Sequence, residues 1–349
     1  MNASAGRGLS LGANNFDLIR LLAAVQVMVK HALAHLGFEG LGADLLGLFP
    51  GVPVFFFISG YLIFQSHQNS QSLAQFALNR VLRIYPALIA CFFVSVALVL
   101  GTGFLQWRDL VSVSFLVWMA AQLSVLQIYN AEFLRGFGVG VLNGSLWTVA
   151  VELQFYVLTP LLAWAVLGRR WVWSVVLAIG VGANLLLVMG TDTFVLKLFS
   201  VSFPPWFYMF VLGAWLSERR DWQAGLLRIS PAVWLVAYLV LAMLGHAAGL
   251  TVFGNEINPL SYVLLAALIY RLAYTQPELS DRLLLRNDVS YGVYIYHMPV
   301  INLLAHLGFS GSVVAVILAS LATLMLALGS WRWIERPALR LKRLALRPL

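Results

Sequence analysis

The stretch FDLIRLLAAVQVMVKHALAHL, residues 16–36, decides how this chain is read. It has the length of a membrane-crossing helix, for which about 20 apolar residues suffice. His31 lies inside it, where an ionisable side chain is expensive to place and is usually kept for function. Arg20 comes eleven positions earlier. At about 100° per residue, eleven steps make roughly three turns plus 20°, so the two side chains share one stripe about 16 Å apart along the axis. A cation near one membrane face and an imidazole near the other predict a path across the bilayer with chemistry at its end. The plainer readings are a core histidine bonded to a neighbour and an arginine snorkelling to the inner headgroups. His35, one turn beyond His31, is its rival but lies closer to the outer water.

Composition agrees with this reading. The 349 residues are 61% hydrophobic and only 10% charged, with a mean hydropathy of +0.87. Soluble domains average about 25% charged residues, so this chain lacks the polar groups to cover itself in water. It is an all-α, polytopic membrane protein. Its net charge of +8 falls in short segments between apolar runs. The charge therefore reads as a topology signal, and no nucleic-acid partner is expected. The single cysteine, Cys91, sits in an apolar run and has no intrachain disulfide partner. Residues 1–15 are small and polar, and no A-x-A site closes the run that follows. The first run is therefore expected to be retained as a helix.

Apolar runs of spanning length lie near residues 16–36, 47–65, 84–102, 146–167, 171–190, 201–217, 231–248, 258–275, 289–307 and 312–332. This gives a bundle of about ten transmembrane helices. A further stretch, 110–128, carries Ser112, Ser114, Gln122, Ser124 and Gln127 and is expected to be re-entrant or interfacial. With a cytoplasmic N-terminus and this stretch left out of the count, most basic residues fall inside. Among them are Arg7, Arg80, Arg83, Arg169, Arg170, Arg219, Arg220, Arg282 and Arg286. The outer loops then keep Arg108, Arg135 and Lys197. Counting 110–128 as a span would put the later arginine pairs outside, against the positive-inside rule. The expected division is a cytoplasmic segment 1–15, a transmembrane domain 16–335 and a basic cytoplasmic tail 336–349. That tail would anchor to anionic headgroups.

Further clusters stand out against the apolar background. In GVPVFFFISGYLIF, residues 51–64, Pro53 permits a kink and Ser59-Gly60 offers a surface for close helix approach. In NRVLRIYP, residues 79–86, Arg80 and Arg83 point the same way at the cytoplasmic start of a span. They form either a fork for phosphate or a topology signal alone. In NGSLWTVAVELQFYVLTPLL, residues 143–162, Glu152 lies at membrane depth with Tyr156 one turn on. It needs a partner: an imidazole, or a cation such as Arg271 or Arg332. In SYGVYIYHMPV, residues 290–300, Tyr291, Tyr294 and His297 recur at three-residue steps as a hydroxyl and imidazole stripe. SWRWIERPALRLKR, residues 330–343, reads as a helix stop with charge anchoring.

In this order, the blocks resemble the acyltransferase 3 family of integral-membrane acyltransferases, the group that holds bacterial O-antigen and exopolysaccharide O-acetyltransferases. The likeness runs from Asn15 to Pro337. Arg20-x10-His31 matches the family's Arg/Lys-x10-His signature, and PVFFFISGYLI resembles its FF-x-x-SG segment. Arg80-x-x-Arg83 with Ile-Tyr-Pro matches its cytoplasmic motif. SLWTVAVELQFYVLTPLL, YGVYIYHMPV and IERP resemble its remaining blocks. Each is weak alone, and their order is specific. Some relatives add a further span and a periplasmic SGNH hydrolase-like domain. This chain stops at Leu349, so the resemblance implies a stand-alone form, with direct transfer or a separate periplasmic partner.

The resemblance implies an acyl-CoA donor, commonly acetyl-CoA, and an acceptor hydroxyl on a carbohydrate or glycolipid. It places the protein in the bacterial inner membrane with both termini cytoplasmic. Arg20, Arg80 and Arg83 would hold the cofactor phosphates while the pantetheine arm threads between helices. His31 would act as a neutral general base or as acyl carrier. Glu152 would orient it, and Tyr294 or His297 would bond the developing oxyanion. No metal is expected, because the histidines lack ligand spacing. The rival readings are a proton-coupled transporter or flippase, without visible inverted repeats, and a non-catalytic scaffold, which has no need of buried ionisable groups.

Overall fold

The computed structural model describes residues 13–38, 45–191 and 193–344, without the side chains of 342–344. Expectations for residues 1–12, including Arg7, and for the tail from 345 onward lie outside the described residues. Among the described residues the regular structure is entirely helical. The helices are α1 (Phe16–His35), α2 (Gly51–Gln68), α3 (Leu73–Gly101), α4 (Val113–Gln122), α5 (Trp147–Val166), α6 (Trp171–Met189), α7 (Phe194–Ser200) and α8 (Phe207–Ser217). They continue as α9 (Arg220–Arg228), α10 (Pro231–Ala247), α11 (Pro259–Ala273), α12 (Leu279–Leu284), α13 (Ser290–His306), α14 (Val313–Ser330) and α15 (Arg336–Leu344).

Many starts are written in the chain. Ser72, Ser112, Ser230 and Asn258 each cap the backbone N–H three residues on. Pro231 and Pro259 then stand at first helical positions, where no N–H is needed. Outward faces carry large apolar side chains such as Ile179, Leu186, Met243 and Met325, all well exposed. Such a surface suits lipid rather than water. Inside, α2 and α8 pack so closely that a Cβ at Gly60 would run into the Phe210 backbone. One at Gly213 would run into that of Phe57. The small-residue surface read at Ser59-Gly60 is thus a helix contact.

Each expected run holds a helix, yet on length and apolarity alone five helices qualify to cross a membrane, or seven if two bent pairs each count once. The other three fail for visible reasons. α1 carries Asp17, Arg20 and Lys30, while α11 has 15 residues and α13 has 17. The run 201–217 is not one straight helix: α7 and the helix from Pro204 meet at 49°. The stretch 110–128 resolves into α4, which has 10 residues, or about 15 Å of helix at 1.5 Å per residue. It packs on the far end of α3 through Phe92, Phe115 and Trp118.

Candidate active site

Both marked residues of α1 meet α13. Arg20 Nη1 donates to Asp288 Oδ2, just before α13, at 2.9 Å. Eleven residues on, His31 Nδ1 lies 2.8 Å from His297 Nε2. The stripe on α1 is therefore one face of a parallel helix pair. His297 is fully buried and His31 half-buried, with their rings stacked at 5.1 Å between centroids.

The inner end is built around Asp288. Its Oδ2 also accepts from Arg83 Nη2, and its Oδ1 accepts from the backbone and hydroxyl of Ser290. Burial alone would raise this carboxyl, but Arg20, Arg83 and Ser290 hold it well below the ordinary carboxylate range. Asp288 therefore stands as a fixed anion between two guanidiniums. The expected pair of free arginines is divided by this arrangement. Arg83 is bound to Asp288, whereas Arg80 donates to Ser66 Oγ at 3.1 Å and lies over the rings of Phe76 and Tyr156. The Nε of Arg80 has no partner.

Arg20, Asn79, Arg80, Arg83, Tyr156 and Asp288 line a cavity of about 240 Å³. A narrower chamber of about 30 Å³ leads on past Phe55 to Thr148 and Tyr294. Arg20, Ser59, Glu152 and Tyr291 line both. Glu152 faces this route, but its hydrogen bonds come from Tyr156 at 2.7 Å and Ser59 at 3.2 Å, not from His31. The side chain within hydrogen-bond distance of His31 Nδ1 is instead that of His297. Arg271, a considered partner for Glu152, instead bonds Thr275 and the Ile229 carbonyl.

A series of rings continues outward from the narrow chamber. Tyr294, whose hydroxyl is 2.7 Å from Thr148 Oγ1, lies 5.8 Å from His297. His297 stacks on His31, which lies 5.8 Å from His35. His35 lines an outer cavity of about 350 Å³, together with Trp118, Gln122, Gln127, Asn143 and Trp147. The ring series therefore runs from the narrow inner chamber, lined by Tyr294 and Arg20, to an outer cavity lined by His35 and without Asp, Glu, Lys or Arg. His31 and His297 lie between those end rings and line neither space.

Local chemistry explains why α13 can hold this position. Pro299 has no N–H for the carbonyl of Ile295, four residues back. That carbonyl accepts instead from Asn143 Nδ2 at 2.9 Å and Cys91 Sγ at 3.2 Å. One turn beyond His297, Asn302 donates to the carbonyls of Val141 and Leu142 and accepts from Val139. The outer loop is thereby tied to the helix that bears His297. Sequence reasoning missed Asp288, Asn143 and Asn302. The available signals were an acid at the start of a span facing inner arginines, and a proline that needs a substitute donor. It also took Glu335 for part of a surface anchor. Glu335 sits in a π-helical turn, Trp331–Glu335, is buried and accepts from Ser330 at 3.0 Å. Such turns are frequent at functional sites.

These features describe a helical membrane protein with a hydrogen-bonded histidine pair in the ring series between two unlike cavities. The family model described as an acyltransferase domain matches residues 14–332, and the chain belongs to that acyltransferase 3 family. It is an acyltransferase. The chain is 36% identical to nodulation protein 10 of Rhizobium leguminosarum bv. viciae, over 94% of both. It is 29% identical to an O-acetyl transferase of Shigella phage Sf6, over 93% of this chain and 95% of that one. To the peptidoglycan O-acetyltransferase OatA of Listeria monocytogenes it is 26% identical, across 93% of this chain but 55% of the relative. No solved structure matches it.

Proposed function

We propose that the protein is an O-acetyltransferase that moves an acetyl group from cytoplasmic acyl-CoA to a hydroxyl of a cell-envelope carbohydrate, with His31 as general base. The observation that carries this reading is the hydrogen-bonded imidazole pair in the ring series that runs from Tyr294 of the inner chamber to His35 of the outer cavity. The named O-acetyltransferases among its relatives supply the acyl group and the hydroxyl acceptor. The carbohydrate follows from the peptidoglycan in the name of one of them.

The inner cavity fits the thin end of the donor. At about 240 Å³ it is smaller than the roughly 300–1,000 Å³ of pockets that enclose whole drug-sized ligands. It therefore takes the pantetheine arm and leaves the nucleotide at the mouth. Arg80, with an unpartnered Nε, and Asn79, with an unpartnered Oδ1, have bonding capacity to offer there. Arg83 and Arg20 are already neutralised by Asp288 and shape the passage.

Tautomer logic defines the base. Between two neutral imidazoles only one nitrogen of the 2.8 Å pair carries the proton. A proton on His31 Nδ1, donated to His297 Nε2, leaves His31 Nε2 with a free lone pair. The opposite arrangement puts a proton on His31 Nε2 and removes the base. In the productive form His31 Nε2 takes the acceptor hydroxyl proton as oxygen attacks the thioester carbon. The new C–O bond forms and the C–S bond breaks. The imidazolium then returns its proton to the departing thiolate, releasing free CoA. His297 fills the position of the third group in a catalytic triad, orienting the ring by accepting a hydrogen bond from its Nδ1–H.

The same reading includes ten crossings in the bacterial inner membrane with both termini cytoplasmic. The parallel run of α1 and α13 supports it. Parallel helices require an odd number of crossings between them. The set α2, α3, α5, α6, the bent α7–α8 pair, α10 and α11 numbers seven, which is odd, and adding α4 would make it even.

The test uses inside-out membrane vesicles carrying the full chain and acetyl-CoA. Free CoA thiol and acetyl groups on extracted envelope glycans should appear together in equal amounts. A proton-coupled carrier would liberate no thiol, and that result would replace the enzyme reading.

A further inference from the structure

The outer cavity contains a polar group that nothing in the fold satisfies. Gln127 is 4% exposed, and neither Oε1 nor Nε2 of its carboxamide has a hydrogen-bond partner. A buried polar group left in that state costs about 1–3 kcal/mol, and an unpaired one in a native fold calls for an explanation. Its loop is not loosely placed. Gln122 Nε2, on α4, donates to the carbonyl of Gln127 at 3.2 Å and to that of Tyr129 at 3.0 Å. The loop is thus pinned by its backbone, and Gln127, a lining residue, holds its unpaired carboxamide enclosed in the cavity wall.

The rest of the lining narrows the ligand. Trp118 and Trp147 give aromatic walls, and Gln122 adds a second carboxamide. The lining has no Asp, Glu, Lys or Arg, and its ionisable members are His35 and Tyr129. An anionic ligand is normally met by arginine or lysine, and none is present. A carboxamide offers one acceptor and two donors side by side, matching neighbouring hydroxyls. Aromatic faces suit the C–H side of a pyranose ring through apolar contact. About 350 Å³ is at the small end for a ligand pocket.

We propose that this cavity is the acceptor subsite and that it takes an uncharged sugar ring, hydrogen-bonded by the Gln127 carboxamide and presented towards His31. The assignment rests on the acetyl-transfer reading above and sharpens its acceptor from carbohydrate to neutral glycosyl unit. His35 forms part of the wall, and His31 lies behind it at 5.8 Å ring to ring, which makes this the lining nearest the base.

The test is binding, measured without turnover. Full-length protein in a detergent lacking a sugar headgroup is titrated by thermal shift with neutral hexose- and N-acetylhexosamine-terminated oligosaccharides. Hexuronate-terminated oligosaccharides and acetyl-CoA are titrated separately. A neutral oligosaccharide should raise the melting temperature, and the hexuronate series should not. Gln127→Leu should weaken neutral-sugar binding by about tenfold while the acetyl-CoA shift persists, which also shows that the variant folds. Ile128→Trp, at a partly exposed lining position, should fill the cavity and abolish the sugar shift by a second route. Wild-type sugar affinity in both variants overturns the proposal, as does equal binding of the hexuronate series or binding of no neutral sugar at all. Sugar binding by a protein that releases no thiol from acetyl-CoA would remove the donor reading and leave this subsite standing. Thiol release without sugar binding would do the reverse.

Discussion

The two cavities flank one histidine pair yet are assembled on opposite principles. At the inner end three of the five charged side chains pair with one another, and the other two, Arg80 and Glu152, are bonded to neutral hydroxyls. Asp288 binds both Arg20 and Arg83, which leaves Arg80 with spare capacity. At the outer end charge is absent from the lining, and the spare capacity is a neutral carboxamide. The difference teaches where a low-dielectric interior tolerates unmet polar groups. Unmet ions there are costly, so the ionic end is prearranged, with Asp288 between two guanidiniums and Glu152 bonded by two hydroxyls. Neutral donors and acceptors cost less to leave open, so the uncharged end can wait for its ligand.

The pair between the cavities should show the largest effect. His31→Ala is expected to lower acetyl transfer by about 10²–10⁴-fold, the usual contribution of a general base, with normal abundance in the membrane. His35→Ala should cost far less and act on the acceptor KM rather than kcat, because that ring belongs to the wall of the acceptor cavity. Vesicle thiol release, normalised to protein by immunoblot, measures both. If His35→Ala proves the more damaging change, the boundary between site and wall lies one turn further out than drawn here.

Next comes the ionic network of the inner end. Asp288→Asn strips Arg83 of its ion-pair partner and leaves Arg20 only Asp17 at 3.8 Å, and should destabilise the fold by about 3–5 kcal/mol, seen as lost abundance or a lower melting temperature. The pH dependence has a definite sign. Asp288 is held well below its ordinary value of 3.8, so its stabilisation is fully present above that value. It fades only as pH falls through the lower, folded-state value. Wild-type stability should therefore show no loss from this group above about pH 5. Arg83→Gln should also lower stability, whereas Arg80→Gln should not. The effect of Arg80→Gln falls on the donor: the KM for acetyl-CoA should rise by about tenfold with little change in kcat, as for one lost charge-assisted hydrogen bond. Equal effects of the two arginine changes on KM would mean that both arginines hold phosphate and that the network is open.

How much of this was legible beforehand differs by level. The helices were readable because apolar length, capping serines and helix-initial prolines are local signals. The stripe of Arg20 and His31 was readable because helical period fixes it. The partners were not. Glu152 was assigned to His31 on depth alone, but depth does not say which helix lies opposite. The structure sends Glu152 to Tyr156 and Ser59. The bend near Phe203 was hidden because an apolar run looks alike whether straight or broken. Arg80 and Arg83 looked equivalent because a three-residue spacing gives direction but not the location of the counter-charge. Gln127 was noticed only as a reason to doubt a span. Its unpaired state depends on a loop fold that no period encodes.

The smallest expected effect tests how the outer cavity is kept in register with the histidine pair. Pro299 deprives the Ile295 carbonyl of its helical donor, and Asn143 and Cys91 replace it. Asn143 also belongs to the outer lining, so one side chain repairs α13 and borders the cavity. Because a second donor remains, Asn143→Leu should cost about 1 kcal/mol, the low end for a lost partner. Asn143→Leu combined with Cys91→Ala should cost more than the sum of the single changes, since only the double variant orphans the carbonyl. Melting temperatures of the four proteins close this cycle. Simple additivity would mean that water or backbone adjustment already satisfies Ile295. The outer cavity would then owe its register to Asn302 alone, one turn further along the same helix.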